Sequence, residues 1–272
     1  MIIMQNKERY LTISQIDATI VKGPHQKELE DIGRKIAPLI RDINLIKIKN
    51  ILSEDLGGIV ENIGLDEDWS ITLEFFPEVK IHISYFFYGD EFGDIESDLK
   101  ILFSGKHVSW VPGEDLATYI DIFIDFLKRR IKNYEPVNQK YDKKSDLLLK
   151  VFKQRKSIFK LLEDKDIIEL KSFLDAEVMK NSSQWRIKKE IFPEINIVIL
   201  YSIRDEKLDI SYYGKNLKNM ESYHIELIAI FIINHILRFI TIKNQEKKLP
   251  NICYMMFSRL FSKEKGWDYR NI

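Results

Sequence analysis

The sequence shows no sign of an exported or crosslinked protein. Cys253 is the single cysteine among 272 residues, so no intramolecular disulfide can form. The first ten residues, "MIIMQNKERY", have an apolar start of only four residues, which is too short for the core of a signal peptide. These absences exclude a disulfide-stabilised secreted scaffold and indicate a reducing cytoplasmic location.

Net charge is also lacking. Lysine plus arginine and aspartate plus glutamate each number 42, so the formal net charge is zero. Without a global positive field, a chain has little long-range attraction for DNA, RNA or an acidic lipid surface. We therefore expect no nucleic-acid partner and no membrane partner.

Recognisable catalytic and cofactor motifs are missing as well. The chain has no G-x-S-x-G, no P-loop and no dinucleotide fingerprint. Its five histidines lack the spacing of a zinc site, and Cys253 has no second cysteine with which to chelate a metal. We expect no cofactor, and nucleophilic or nucleotide chemistry has no support.

No hydrophobic run is both long and uninterrupted. The longest, residues 225–242, is close to the length of a bilayer helix but contains Glu226, Asn234, His235 and Arg238. Four polar groups within one solitary span would be costly in lipid. A helix that is apolar on nearly all sides is instead typical of a core helix covered on two sides, which is our prediction.

What the sequence does contain is an internal repeat. The stretch "WSITLEFFPEVKIHISY", residues 69–85, matches "WRIKKEIFPEINIVILY", residues 185–201, at nine of seventeen positions. The identical positions include the tryptophan that begins each stretch and the Phe-Pro-Glu at its centre. So many matches far exceed chance and indicate a duplicated structural unit.

Periodicity predicts the structure of this unit. Apolar residues alternate from Trp69 to Phe75, Pro77 interrupts them, and alternation resumes from Ile81 to Phe87, which predicts a hairpin. A third short strand, "LKILF", follows. The unit ends in a helix, "VPGEDLATYIDIFIDFLKRRI", which begins with acidic residues and ends with basic ones, as the helix dipole favours. Alternation also predicts that both tryptophans of the repeat are buried.

The second copy has the same order of elements and a shorter loop. Gly105-Lys106 matches Gly214-Lys215, and the correspondence continues to Ile131 and Ile240. Helical segments precede each copy. The sequence therefore predicts an α+β fold of two tandem, diverged repeats, each with a helical lead-in, an antiparallel β-β-β meander and a long closing α-helix.

This organisation gives predicted boundaries. Residues 1–135 form repeat 1 and residues 145–242 form repeat 2. A polar segment at 136–144 contains Pro136 and is interpreted as a connector. Residues 243–272 have apolar side chains at helical spacing and are predicted to be a helical tail that packs back on the protein.

The first copy resembles a known family. Its sequence "FPEVKIHISYFFYGDEFGDIESDLKILF", followed by "VPGEDLA", is similar to the C-terminal signature of the bacterial domain-of-unknown-function family 3786. In that family a proline-led strand precedes G-D-E-E-F-P, then L-F-D, then L-P-T-E-D-L-A. The resemblance covers residues 69–127, and residues 185–240 are a second, diverged copy.

The family signature carries over onto individual residues. The matching residues are Gly89, Asp90, Glu91, Phe92, Glu114 and Asp115. The chain departs from the signature in having one glutamate fewer in the acidic loop, Gly93 in place of proline, and Ser104 in place of aspartate. Because the family has no assigned activity, the resemblance implies a shared fold and a candidate surface rather than a reaction.

The acidic loop after the second strand is one candidate site. Asp90, Glu91 and Asp94 supply the hard oxygen ligands that Mg²⁺ or Ca²⁺ prefers. The loop has no EF-hand spacing, and a stretch rich in Asp and Gly is equally typical of a solvated turn. A metal site and a plain hairpin loop are the two interpretations, and we favour the loop.

A carboxylate cluster is the other candidate. Glu114 and Asp115 at the helix start could approach Asp90 and Glu91 and perform acid/base chemistry. Acidic residues are favoured in a first helical turn by the dipole alone, and the second copy has Tyr-His at the matching positions. Such a site would exist in one copy only.

Two functional hypotheses follow. Both closing helices are apolar on more than one side, so each must meet its own sheet and a second partner, most simply the other copy. We favour a non-catalytic binding or assembly module that uses the inter-repeat surface for an unknown small molecule or protein partner. The alternative is an enzyme or metal-binding protein with its carboxylate site in the acidic loop of repeat 1.

Overall fold

The computed structural model describes residues 9–89, 97–134 and 144–267. Within these ranges the strands form two antiparallel sheets, in the spatial orders β1-β2-β3-β4 and β5-β6-β7-β8. The strands are β1 Ile59–Glu61, β2 Trp69–Phe76, β3 Val79–Phe87, β4 Ser97–Ser104, β5 Glu177–Lys180, β6 Gln184–Phe192, β7 Ile195–Ser202 and β8 Lys207–Tyr213.

Helices precede and follow each sheet, and α4 and α7 are the long closing helices. The α-helices are α1 Ile13–Ile16, α2 Pro24–Arg41, α3 Leu45–Asn50, α4 Gly113–Lys132, α5 Asp146–Arg155, α6 Ile167–Leu174, α7 Ser222–Lys243, α8 Asn251–Tyr254 and α9 Arg259–Glu264. A π-helical turn at Ile51–Asp55 continues α3, and 3₁₀ turns at Lys156–Leu161 and Asp164–Asp166 connect α5 to α6.

The predicted α+β fold of two tandem repeats is confirmed. Each repeat has helices, a meander and a long closing helix in the predicted order. The structure adds a short first strand to each meander, since β1 pairs with β2 and β5 pairs with β6. These strands have only three and four residues, too few to produce a readable alternation. The predicted connector at 136–144 lies outside the described residues except for Lys144.

The hairpin turns of the two repeats have the same geometry. In the first, Pro77 precedes Glu78, whose φ of 65° is the positive value required at the second central position of a type II turn. In the second, Pro193 precedes Glu194 with φ of 61°. The strand register also shifts at the same place in both hairpins, between residues 74 and 76 and between residues 190 and 192. The repeated Phe-Pro-Glu therefore encodes a bulge and a turn.

Each hairpin turn is held by a glycine from the loop that leads to the closing helix. A Cβ on Gly105 would collide with the carbonyl oxygen of Glu78, and one on Gly214 would collide with that of Glu194. Both glycines have positive φ, 104° and 142°. Only glycine fits these positions, because it has no Cβ and tolerates positive φ.

Alanine at these glycines should therefore be costly. We expect Gly214→Ala to lower the free energy of unfolding by more than about 3 kcal/mol, because backbone strain of about 1–3 kcal/mol is joined by the collision. Gly64→Ala is the matched control, since Gly64 has φ of 80° but open space around it. Urea denaturation should show a loss near 1 kcal/mol for the control. Equal losses in the two variants would contradict the role of the turn contact.

The two repeats exchange equivalent contacts through their hairpins. Phe76 of repeat 1 stacks on His235 of α7, with ring centroids 3.9 Å apart. Phe192 of repeat 2 packs on Phe126 of α4, with centroids 5.3 Å apart. Since Phe76 corresponds to Phe192 and Phe126 to His235 in the alignment of the repeats, the contacts are reciprocal. Each hairpin thus packs against the closing helix of the other repeat.

Helix α7 is the central helix of the core. It is the one helix of the described residues that is long and apolar enough to cross a membrane, and 89% of that stretch is buried inside the protein. Its acidic residue Glu226 accepts hydrogen bonds from the backbone N–H of Ser145, at 3.0 and 3.2 Å, at the start of α5. The predicted core helix is confirmed, and so is the burial of Trp69 and Trp185, which are 4% and 1% exposed.

The first sheet is covered by α2 and by the chain preceding α1. A Cβ on Gly33 of α2 would lie 2.7 Å from the carbonyl oxygen of Leu99, so α2 packs closely on β4. Leu11 pairs with Phe103 and thereby covers the free edge of β4. Unpaired edges promote aggregation, so this pairing protects the sheet.

The segment after α7 lies against repeat 1. Ser258 donates its backbone N–H to the carbonyl of Trp110 at 3.3 Å, and the ring of Phe261 lies 5.4 Å from that of Trp110. This segment consequently forms one side of the groove described below.

Candidate ligand-binding groove

A groove of about 840 Å³ lies between the two repeats. We call it the inter-repeat groove. It is bounded by the start of α4 from repeat 1, by α5 and α7 from repeat 2, and by residues 251–259. Pockets of roughly 300–1,000 Å³ are the usual size for small-molecule sites.

The sides of the groove are mostly apolar. The apolar side chains that line it include Val151, Leu227, Ile230, Phe231 and Met256. Residues of both repeats line the groove, so it depends on the packing of the two repeats. An apolar body of moderate size would lose water from most of its surface here, which favours binding.

The buried end of the groove is polar. We call it the polar floor, and it consists of Asp115, Arg155, Asn234 and Arg238. Arg238 donates from Nη2 to Oδ2 of Asp115 at 2.6 Å, and Nδ2 of Asn234 lies 3.5 Å from the same oxygen. The side chain of Arg238 has no solvent exposure. This ion pair joins the end of α7 to the start of α4.

The arginine of repeat 1 that is equivalent to Arg238 also forms ion pairs, at the other end of the two helices, although its acidic partners do not align with Asp115. Arg129 of α4, which corresponds to Arg238 in the repeat alignment, donates to Glu221 at 2.7 Å just before α7 begins. The side chain of Arg129 is 19% exposed and that of Glu221 is 39% exposed. The equivalent arginines of the two closing helices therefore both form ion pairs, of which the one with Asp115 is buried under the groove and the one with Glu221 lies at the surface.

Arg155 is the distinctive member of the polar floor. It is the last residue of α5 and is 8% exposed. Among the residues that the structure describes, its Nε and Nη1 atoms are buried without any hydrogen-bond partner. Burial lowers its pKa to about 10, with Asp115 opposing and Arg238 adding to this shift, so the guanidinium stays charged at neutral pH. A buried cation with unused donors is expensive unless an acceptor satisfies it.

The side-chain oxygen of Asn234 also lacks a hydrogen-bond partner among the described residues. This Oδ1 atom is buried. The floor thus offers unused donors from Arg155 and one unused acceptor from Asn234. Buried polar groups in native proteins are nearly always paired, with protein, water or ligand.

Each guanidinium nitrogen of Arg238 has a hydrogen-bond partner. Its Nε donates to the carbonyl oxygen of Met256, and Nη1 lies 3.4 Å from Nδ1 of His235. Burial lowers the pKa of Arg238, and the charge and hydrogen bond of Asp115 oppose that shift. Arg238 therefore fixes the floor and the segment after α7 in place, and of the two floor arginines Arg155 is the one whose donors lack partners among the described residues.

The rim of the groove mixes charged and apolar groups. Nδ1 of His25 lies 2.8 Å from Oδ2 of Asp17, and Arg259 is exposed. Leu147 and Met255 also line the groove although they are 43% and 60% exposed. The entrance is therefore amphipathic, and among the charged residues that line the groove Arg155 and Arg238 are the most buried, at 8% and 0% exposed.

The structure places the candidate residues from the sequence in different positions. Glu114 and Asp115 both line the groove, Glu114 at the surface and Asp115 in the ion pair with Arg238. Asp90, Glu91 and Asp94 lie outside the described residues. Within the described ranges no group of three or more His, Cys, Asp or Glu side chains is arranged to hold a metal ion.

A second cavity lies between the hairpins of the two repeats. It has a volume of about 370 Å³ and is lined by equivalent residues of both copies, including Glu74 and Glu190. Lys189 also lines it and donates to the carbonyls of Leu174 and Asp175, at 2.7 and 3.2 Å. These carbonyls lie at the end of α6, so Lys189 acts as a helix cap. The buried cation of this cavity therefore has a structural role.

A buried serine–histidine pair lies within the first sheet. His82 bonds to Ser104 through Nε2 and to Thr72 through Nδ1, each at 2.7 Å. Ser104 has no solvent exposure, and Tyr10 covers His82 with ring centroids 5.0 Å apart. No substrate reaches this hydroxyl, so the cluster is a packing feature of repeat 1.

Sequence reasoning did not identify Arg155 as a functional residue. It lies in a lead-in helix whose charged residues follow no motif, and its burial depends on α7, more than sixty residues later. A signal existed in α7, where Asn234 and Arg238 interrupt an otherwise apolar helix one turn apart. Polar residues on one face of a core helix indicate a polar site beside that face.

The comparisons with known proteins leave the groove as the main guide to function. No protein-family model matches the chain. Neither a curated protein nor a solved structure matches it.

Proposed function

We propose that the chain is a non-catalytic binding module that takes up a small, mostly apolar molecule in the inter-repeat groove, with a polar group of the ligand held at the polar floor. The observation that carries this proposal is the buried guanidinium of Arg155, whose Nε and Nη1 have no partner within the described residues. A ligand acceptor would satisfy it. The apolar sides and the volume of about 840 Å³ suit the remainder of such a ligand.

A carboxylate enzyme site is supported less well. Asp115 is bound to Arg238 at 2.6 Å, so its Oδ2 is engaged by the buried guanidinium. Glu114 is exposed, so it lacks the burial that tunes a general acid or base. Neither group is set up for proton transfer to a ligand in the groove.

The setting proposed for this binding module is the cytoplasm of a bacterium. A single cysteine that is buried, Cys253, suits a reducing compartment. The resemblance of residues 69–127 to domain-of-unknown-function family 3786 supports a distant relationship to that bacterial family. The partner is a small molecule, and neither nucleic acid nor membrane is proposed.

A neutral fluorescent ketone provides the test of groove binding. Prodan, a naphthalene ketone whose emission shifts to the blue in apolar surroundings, has an apolar body and one acceptor oxygen. We expect it to bind the intact protein, and we expect Leu147→Trp to weaken its affinity by at least about tenfold by placing an indole in the groove. Fluorescence titration gives both dissociation constants.

The matched control is Leu149→Trp. Leu149 lies on the same helix, is 50% exposed, and does not line the groove, whereas Leu147 is 43% exposed and does. Because both leucines are exposed, neither substitution should unfold the protein. Equal effects of the two substitutions, or no binding by the intact protein, would overturn the proposed function.

A further inference from the structure

We infer that the natural ligand of the inter-repeat groove is a monocarboxylic acid with an apolar body, whose carboxylate binds Arg155 at the polar floor. This inference rests on the proposed function and specifies the chemical class of the ligand. It follows from the charges of the floor, from the unused donors of Arg155 and from the apolar sides.

The charge of the floor matches one negative charge. Arg155 and Arg238 contribute two positive charges and Asp115 contributes one negative charge, so the floor has one uncompensated positive charge. The remaining charged groups of the groove lie at its rim: Asp17, His25, Glu114 and Arg259. These are exposed or partly exposed and are screened by solvent. A monoanion neutralises the floor, whereas a dianion leaves a buried negative charge.

The unused donors suit a carboxylate. Nε shares an edge of the guanidinium with Nη2, whereas Nη1 lies on the side of Cδ, so Nε and Nη1 donate in two different directions to separate acceptor oxygens. In Arg155 the unpartnered buried atoms are Nε and Nη1. Charge-assisted hydrogen bonds of this type are about twice as strong as neutral ones.

The apolar sides determine the other part of the ligand. Val151, Ile230 and Phe231 are buried and contribute only hydrocarbon to the lining of the groove. A ligand that is polar along its whole length would lose hydration without gaining partners. A hydrocarbon chain or ring attached to a single carboxylate meets both requirements.

Three probes that share a ten-carbon chain test the inference. They are decanoate, decanamide and decyl phosphate, titrated calorimetrically at pH 7.5, where the first is a monoanion, the second is neutral and the third is mainly a dianion. We expect decanoate to bind about 10- to 100-fold more tightly than decanamide, as charged hydrogen bonds predict. We expect decyl phosphate to bind more weakly than decanoate.

Two variants of Arg155 distinguish the contribution of its charge to decanoate binding from the contribution of its guanidinium geometry. In Arg155→Gln, decanoate should lose its advantage over decanamide, while decanamide affinity should change by less than about threefold. In Arg155→Lys, the charge remains without the planar guanidinium and its fixed N–H donors, so decanoate should keep only part of its advantage. Because Nε and Nη1 of Arg155 make no hydrogen bond to the described protein, neither variant leaves a protein group without its partner.

The outcomes separate this inference from the proposed function. If decanoate and decanamide bind the intact protein equally, or decyl phosphate binds most tightly, the groove is a binding site but the monocarboxylate assignment is wrong. If none of the three binds and Prodan also fails, the proposed function falls together with the inference. If decanoate keeps its advantage in Arg155→Gln, Arg155 is not the carboxylate-binding residue.

Discussion

Replacement of Asp115 by alanine should lower the free energy of unfolding by about 3–5 kcal/mol, which is the usual cost of removing one partner from a buried ion pair. Asp115 is the only acidic residue within hydrogen-bonding distance of Arg238, whose side chain is fully buried, among the described residues. Without it, Arg155 and Arg238 become two neighbouring positive charges in a low-dielectric environment. Urea denaturation monitored by circular dichroism measures the loss.

The repeat provides the control for this prediction. Glu221→Ala removes one of the two carboxylates that pair with Arg129 at the other end of the same two helices, the other being Asp125. Because both side chains are partly exposed there, we expect a loss below about 1 kcal/mol. A similar loss in both variants would show that burial does not distinguish the two pairs.

A second substitution tests the like-charge repulsion directly. In the Asp115→Ala background, Arg155→Gln should recover part of the lost stability, because it removes one of the two positive charges. In the intact protein the same change should have a smaller effect. An additive double mutant would mean that the two arginines do not interact.

The second large effect concerns pH and His235. This side chain is completely buried between Phe76 and Phe173, with ring centroids 3.9 and 4.4 Å away, and its Nε2 has no partner within the described residues. Burial lowers its pKa well below the ordinary value, and the nearby charge of Arg238 adds to the shift. The imidazole is therefore neutral in the folded protein at neutral pH.

The sign of the resulting pH dependence follows from proton binding. Below about pH 6.5 the unfolded chain binds a proton at His235 that the folded protein does not, so acid favours unfolding. The stability linked to this group is fully present above about pH 6.5 and is lost as the pH falls, by up to about 1.4 kcal/mol per pH unit, until the lowered folded-state pKa is reached.

His235→Phe should remove this contribution. The variant keeps an aromatic ring between Phe76 and Phe173, so the difference in unfolding free energy between it and the natural protein should change steadily below pH 6.5. Phe239→Leu is a suitable comparison, because it weakens the same core without removing a titrating group. A constant difference between His235→Phe and the natural protein from pH 7.5 to 5 would contradict the prediction.

The sequence predicted the framework of the molecule because the relevant signals are local. Alternation from Trp69 to Phe75 and the Phe-Pro-Glu turns specify hairpins within about ten residues, and the duplication repeats that information. The short strands β1 and β5 could not be predicted, since their partners supply most of the stabilising contacts. Edge strands of this length depend on the sheet beside them.

The polar floor was largely beyond sequence reasoning for a different reason. Asp115 could be picked out by its position at a helix start, but the same position is favoured by the helix dipole, so its pairing with Arg238 was not evident. Arg155 becomes distinctive only when α5 packs beside α7. A buried unpartnered donor is a property of the tertiary structure, and no local pattern encodes it.

The exchanged hairpin contacts have a consequence during synthesis on the ribosome. Helix α4 ends at Lys132, whereas the groups that cover it are synthesised later. They are Phe192, at the end of β6, and helix α7, which ends at residue 243. Because translation proceeds at about 5–20 residues per second, the apolar surface of α4 stays uncovered for roughly 5–20 seconds after its synthesis. We expect the nascent first repeat to be a substrate for ribosome-associated chaperones during this interval, and to be released once the second closing helix emerges.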